Sequence, residues 1–168
     1  MEHLQELKVV ITAAASGLGS DIATTLSKNG SKVFICDNDE LALKNFSKKN
    51  PSINCFHADV SDEAQMKEFF LNIKEQLNEI DVLINNAGVS GSSAKLEDCD
   101  FLDWKNTLDI NLSGTFLSTK LAIPLMKNKG GSIINMGSTS SFLGNPLRSA
   151  YSASKWGLIG LTKTWAME

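Results

Sequence analysis

Tyr151 and Lys155 stand four residues apart in a chain of 168 residues. At that spacing two side chains leave one face of a helix together. A phenol is a poor base near neutral pH. An ammonium beside it stabilises the phenolate, so the pair can take up a proton or return one. Such pairs also recur on exposed helices with no chemical role.

A second group lies near the start of the chain. The run Thr12-Ala13-Ala14-Ala15-Ser16-Gly17-Leu18-Gly19 joins an apolar segment to a helical pattern. Small residues there let the backbone approach a pyrophosphate, and the helix N-terminus offers unpaired N–H groups and a positive dipole end. The same run also fits a tight turn without a ligand. Asp37, 18 residues after Gly19, closes the second apolar segment. A carboxylate in that place can accept hydrogen bonds from both hydroxyls of an adenine ribose and repels a 2′-phosphate. It can equally cap the helix that follows, as can Asn38 and Asp39. Asp59, with Val60 beside it, has the same two readings: an adenine contact, or a cap next to Ser61.

Ordered elements must hold these groups in place. Five short β-rich runs, at 8–12, 32–36, 53–57, 81–85 and 132–136, alternate with helical periodicities. The helical stripes pass through Leu18, Ile22 and Leu26, then Leu41, Leu43 and Phe46, then Met66, Phe69, Ile73 and Leu77. A longer one carries Phe101, Trp104, Leu108, Leu112, Leu117, Leu121 and Leu125, and the last begins near Tyr151 with Trp156, Ile159 and Leu161. Five β-then-α units in succession predict an α/β fold with a parallel sheet covered on both faces. Asn50-Pro51-Ser52 and residues 127–131 read as surface turns, so one domain is expected.

Composition excludes several classes. With 42% apolar and 21% charged residues, 12 glycines and 3 prolines, the chain is ordinary globular protein. Sixteen basic and nineteen acidic side chains give a net charge of −3 without a dense basic run, which argues against nucleic acid as a partner. Cys36, Cys55 and Cys99 are scattered and odd in number, and His3 and His57 show no ligand spacing. Neither a disulfide framework nor a metal site is expected, and Cys36 and Cys55 read as buried thiols. No apolar stretch reaches the roughly 20 residues that span a bilayer. Residues 1–6 lack a basic flank and a cleavable apolar segment, so no membrane association and a cytoplasmic location are expected. Trp104, Trp156 and Trp165 read as packing residues.

Taken in order, these residues resemble the short-chain dehydrogenase/reductase family in its compact single-domain branch. Thr12, Gly17 and Gly19 match T-G-x-x-x-G-x-G, with Ser16 and Leu18 inside it. Ala13 replaces the first glycine, which carries a cost if the turn needs a positive φ. Asn85-Asn86-Ala87-Gly88 matches N-N-A-G, and Asn111 falls where the family has its helix-bending asparagine. Ser138 follows the fifth strand, and Tyr151 and Lys155 supply Y-x-x-x-K thirteen residues later. The motifs cover nearly the whole chain.

The resemblance implies a Rossmann-like doubly wound sheet ordered 3-2-1-4-5. It implies a nicotinamide cofactor held by Thr12, Ser16, Gly17, Leu18 and Gly19, by Asp37, Asp59 and Val60, and by Asn86, Ala87 and Gly88, with Tyr151 and Lys155 at its reactive end. Tyr151 is then the general acid/base for hydride transfer between the cofactor and a secondary alcohol or ketone. Lys155 holds the nicotinamide ribose, Ser138 bonds the substrate oxygen, and Asn111 orders a water that relays protons to Lys155. Asp37, with no basic residue at Ser16, favours NAD over NADP. A 3-oxoacyl-thioester reductase and a non-catalytic dinucleotide-binding module are the alternatives. Ser140, Phe142, Leu143, Asn145 and Arg148 are expected to border the substrate pocket. Excess apolar surface on the last two helical segments implies a homodimer or homotetramer. The family's sheet has two further strands, so the domain spanning 1–168 is expected to be incomplete at its C-terminus. Its fifth strand is then an open apolar edge. Marginal stability and weak or absent turnover are expected of the isolated chain.

Overall fold

The computed structural model describes residues 5–168. Its strands are β1 (Lys8–Thr12), β2 (Lys32–Asp37), β3 (Asn54–His57), β4 (Val82–Asn85) and β5 (Ser132–Asn135). They form one parallel sheet in the order β3-β2-β1-β4-β5, the order the resemblance implies. The register sets Thr12 beside Cys36, Asp37 beside His57 and Asn85 beside Asn135. The motif residues at the strand ends therefore share one edge of the sheet, and the order reverses on either side of β1, where open α/β sheets form a ligand crevice. Residues 1–4, which include His3 and the start of the segment read for a leader, lie outside the described residues.

Alternation along the strands decides what covers each face. Val10, Phe34, Cys36 and Leu83 pack with Met66, Phe69 and Ile73 of α3 (Glu63–Leu77). Val9, Ile11, Val33, Ile35 and Ile84 pack with Ala23 of α1 (Gly17–Lys28) and with Leu43 and Phe46 of α2 (Glu40–Lys49). Burying each large aliphatic or Phe side chain contributes about 1.5–3 kcal/mol, so both helical layers are held by these positions. Asp39 caps α2 by accepting the Ala42 N–H at 2.9 Å, and Asp62 caps α3 by accepting those of Ala64 and Gln65 at 2.9 and 3.0 Å.

The long apolar stripe forms a helical rod in three pieces: α4 (Phe101–Leu108), a π-helical turn (Asp109–Ser113) and α5 (Gly114–Met126). The widened turn falls on Asn111, where the resemblance implies a bend. Glycines let the rod sit close to its neighbours. A Cβ on Gly114 would lie 2.8 Å from Val60 Cγ2, and one on Gly157 of α6 (Ser149–Trp165) would lie 2.9 Å from Leu112 Cδ1.

Some side chains depart from expectation. Leu18, Leu41 and Phe101, each in the first turn of its helix, are exposed. Trp156 is 53% exposed rather than packed, since Ser154, Lys155 and Leu158 form the buried side of α6. Ile134 of β5 is 46% exposed, while Ile133 packs on the covered face of the sheet. Cys36 is buried but Cys55 only half-buried, and all three thiols are free. Burial pushes the Cys36 thiol up to about 12. Among the described residues no helix is long and apolar enough to cross a membrane.

Candidate active site

After Thr12 the chain turns through Ala13 and enters α1 at Gly17. Ala13 has φ +50° and Gly17 has φ +53°, both in the left-handed region. Glycine adopts this freely, whereas it costs an L-residue roughly 1–2 kcal/mol. Ala13→Gly is therefore expected to stabilise the fold by about 0.5–1 kcal/mol, once glycine's greater freedom in the unfolded chain is subtracted. Denaturant unfolding checks this, and an unchanged midpoint contradicts strain at Ala13.

The turn is fastened to the loop after β4. Thr12 Oγ1 accepts the N–H groups of Asn86 and Ala87, each at 3.1 Å, and Asn86 Nδ2 donates to Thr12 O at 3.1 Å and Ala13 O at 2.7 Å. Gly19 packs into this junction: its Cβ would lie 2.6 Å from Asn86 Nδ2 and 2.7 Å from Ala13 O. Ser16, the N-cap of α1, makes no side-chain cap bond, and the first turn holds no acidic residue. The α1 N-terminus thus presents N–H groups and positive potential without a side chain to answer them.

The ends of β2 and β3 are acidic. Asp37 is buried, and its Oδ2 accepts the Ala15 N–H at 3.0 Å while Oδ1 accepts that of Asp39 at 3.1 Å. Asp37 therefore braces the turn and leaves the capping of α2 to Asp39. Asp59 Oδ1 accepts the Ser61 N–H at 2.8 Å and hydroxyl at 2.6 Å, and Oδ2 accepts Asn38 Nδ2 at 3.2 Å. Burial raises the Asp59 pKa, but the Ser61 and Asn38 donors, with nearby His57, outweigh it and hold the carboxyl below its ordinary range. A cleft of about 340 Å³ runs from these carboxylates past Ala13, Ser16, Leu18 and Gly19 to Asn86, Ala87, Gly88, Val89 and Ile110.

Tyr151 and Lys155 stand beyond the Gly88 end. A Cβ on Gly88 would lie 3.5 Å from Lys155 Nζ and 3.4 Å from Asn111 Oδ1. Lys155 is 5% exposed, donates to Met136 O at 2.7 Å, and holds its Nζ 5.7 Å from the centroid of the Tyr151 ring. Burial lowers the Lys155 pKa. The unfolded chain therefore binds more protons than the native state between the two pKa values, and this group's contribution to stability rises with pH across that window. Lys155→Met is expected to stabilise the fold at pH 7, a gain that shrinks as the pH climbs toward the ordinary lysine range. Thermal unfolding across that range decides it; a Met variant less stable at pH 7 contradicts the sign.

Ser138 Oγ accepts the Ser140 N–H at 3.2 Å, which leaves its own proton to donate. Asn111 is fully buried: Oδ1 accepts the Val89 N–H at 2.8 Å, and Nδ2 donates to Val89 O at 2.9 Å and to Ser154 Oγ at 3.0 Å. Both amide protons are thus committed, and only oxygen lone pairs remain for the water implied above. Arg148 donates from Nη1 to Ser90 O at 3.3 Å and Gly91 O at 2.8 Å and clamps the loop after β4. Ser140 is buried and accepts Asn145 Nδ2 at 3.2 Å, whereas Phe142 and Leu143 are exposed.

The cleft gathers Ser16, Leu18, Gly19, Asp37, Asp59, Val60, Asn86, Ala87 and Gly88 from the candidate set. Thr12 and Gly17 shape it without lining it, and Asn111, Ser138, Tyr151 and Lys155 are not among its lining residues. Asn38, Ala58, Val89 and Ile110 also line it, each adjacent in sequence to a candidate residue, and that adjacency was the available signal. Ser154 was likewise missed, although a serine three residues after Tyr151 falls on the same helix face.

Comparison with known proteins agrees with this fold. A family profile described as short chain dehydrogenase matches residues 7–168. The chain is 38% identical over 177 residues to trans-4-hydroxycyclohexanecarboxylate dehydrogenase of Sinomonas cyclohexanicum, covering 99% of this chain and 68% of that protein. It is 35% identical over 164 residues to 3-oxoacyl-(acyl-carrier-protein) reductase of Thermotoga maritima, covering 95% and 66%. The crystal structure of levodione reductase superposes with a TM-score of 0.91 at 30% identity, over 97% of this chain and 66% of that one. The chain therefore spans about two-thirds of the length of these relatives. The match runs from before β1 through the last helix, and the chain belongs to the short chain dehydrogenase family.

Proposed function

We propose that this chain binds a nicotinamide dinucleotide, NAD in preference to NADP, and carries the acid/base machinery that interconverts a secondary alcohol and a ketone. One observation carries this: a single cleft joins the uncapped α1 N-terminus and Asp37 to Gly88, where the Lys155 ammonium stands beside the Tyr151 ring. The residues fit such a cofactor. Gly19 lines the cleft while the turn itself occupies the place of a Cβ, so only main chain faces a phosphate there, and the N–H groups of the α1 N-terminus suit its charge. Each Asp37 oxygen accepts one protein N–H and keeps a lone pair for a ribose hydroxyl.

A bound nicotinamide supplies the hydride acceptor or donor. Ser138 donates a hydrogen bond to the substrate oxygen, and Tyr151 exchanges the one proton with that oxygen, taking it as hydride leaves the alcohol carbon and returning it in reduction. Lys155, anchored on Met136 O, holds the nicotinamide ribose and brings positive charge to the Tyr151 ring. By the same reading the intact protein assembles as a homodimer or homotetramer and works in the cytoplasm.

Protein at stoichiometric concentration, incubated with NAD and a panel of secondary alcohols, is expected to form NADH. Tight NAD binding with no alcohol oxidised by the full-length protein overturns the enzymatic reading in favour of a binding module. An acetoacetyl thioester reduced faster with NADPH than any ketone with NADH would instead support the thioester reductase. Asp37→Ala is expected to weaken NADH about tenfold and to narrow its margin over NADPH. Equal affinity for the two nucleotides in the unmutated protein contradicts the NAD preference.

A further inference from the structure

Ser154 is fully buried on α6, between Tyr151 and Lys155. Its hydroxyl donates to Tyr151 O at 2.7 Å and accepts Asn111 Nδ2 at 3.0 Å. With its one proton committed to the helix carbonyl, this hydroxyl faces Asn111 as an acceptor only, and that dictates how the amide is turned. The nitrogen must point to Ser154, and the oxygen is left for the Val89 N–H. The second amide proton goes to Val89 O, so one side chain holds both main-chain groups of Val89. Val89 and Gly88 line the end of the cleft, where a Cβ on Gly88 would be 3.5 Å from Lys155 Nζ. A single buried hydroxyl thus links the helix carrying Tyr151 and Lys155, the π-helical turn and the cleft wall.

We propose that Ser154 is a positioning residue: it orients the Asn111 amide and, through Val89, fixes the wall against which the nicotinamide half of the cofactor lies. The adenosine half is held elsewhere, by Asp37, Asp59 and the α1 N-terminus, and is independent of Ser154. The inference rests on the nicotinamide reading above. Removing the hydroxyl leaves an Asn111 amide proton buried without an acceptor, a situation that proteins relieve by local rearrangement.

The test compares Ser154→Ala and Ser154→Thr with the unmutated protein. Three measurements are made: hydrogen exchange of the Asn111 side-chain amide by NMR, NADH affinity by nicotinamide fluorescence, and AMP affinity by chemical-shift titration. In Ser154→Ala the Asn111 amide should exchange at least about tenfold faster and NADH should bind about tenfold more weakly, with AMP affinity unchanged within about twofold. Ser154→Thr, which keeps the hydroxyl, should restore both. Unchanged Asn111 exchange in Ser154→Ala overturns the proposal, and so does an equal loss of NADH and AMP affinity, which would mean general loosening. If the unmutated protein binds AMP but not NADH, the nicotinamide reading itself fails, and the role assigned to Ser154 in holding that half fails with it. The Asn111 exchange rates then still report whether the hydroxyl orients the amide.

Discussion

Tyr151→Phe is expected to slow alcohol oxidation on the order of a thousandfold, with NADH affinity unchanged within about twofold. Phenylalanine keeps the ring and removes only the hydroxyl that exchanges a proton with substrate. The supports around it do not depend on that hydroxyl. Lys155 is anchored on Met136 O, Ser138 is set by its own bonds to Ser140 and Ser141, and Ser154 holds the main-chain carbonyl of residue 151 rather than its side chain. The loss should therefore fall on the rate and not on cofactor binding. Retention of more than about a tenth of the rate would mean that another group moves the proton. A parallel collapse of NADH affinity would mean that Tyr151 is part of the binding surface instead.

Gly19→Ala is expected to weaken NADH by at least about a hundredfold and to destabilise the fold by about 1–3 kcal/mol. The new Cβ would meet Asn86 Nδ2 at 2.6 Å, Ala13 O at 2.7 Å and Ala14 Cα at 2.9 Å. Two of these three are backbone atoms of the turn, so no side-chain rotation relieves them. Asn86 cannot swing away cheaply either, because its amide holds Thr12 O and Ala13 O. The turn must move, and the N–H groups it aims into the cleft move with it. Gly17→Ala is the contrast. Nothing lies within 4 Å of its Cβ, so its cost comes from φ +53° alone and binding should fall far less. Equal losses for the two variants would show that conformation, not close approach, governs this turn.

The strand ends were legible in sequence because short β-rich runs break at small or polar residues, and Thr12, Asp37 and Asn85 all lie at such ends. The alternation of Val9, Val10 and Ile11 between two cores follows directly from the strand period. The positive φ of Ala13 could be anticipated only as a condition, since sequence gives the residue and not the turn it must make. The bonds of Asn111 were not legible. Its partners Val89 and Ser154 lie 22 and 43 residues away and meet only once the π-helical turn and α6 are packed. The bonds of Arg148 were hidden for a similar reason: its Nη1 donates to the carbonyls of Ser90 and Gly91, 58 and 57 residues away in sequence. Leu41 and Phe101 fit an apolar stripe, but a stripe does not reveal that the first turn of a helix is left exposed.

Single-turnover isotope transfer reaches the redox chemistry most directly, because it detects even a slow step. The protein is incubated with NAD and a secondary alcohol deuterated on its carbinol carbon, and the nucleotide is recovered for mass spectrometry and NMR. Deuterium at C4 of the nicotinamide ring, present with the unmutated protein and absent with Tyr151→Phe, is the expected result. Unlabelled nucleotide recovered from protein that demonstrably binds NAD would contradict hydride transfer at this site.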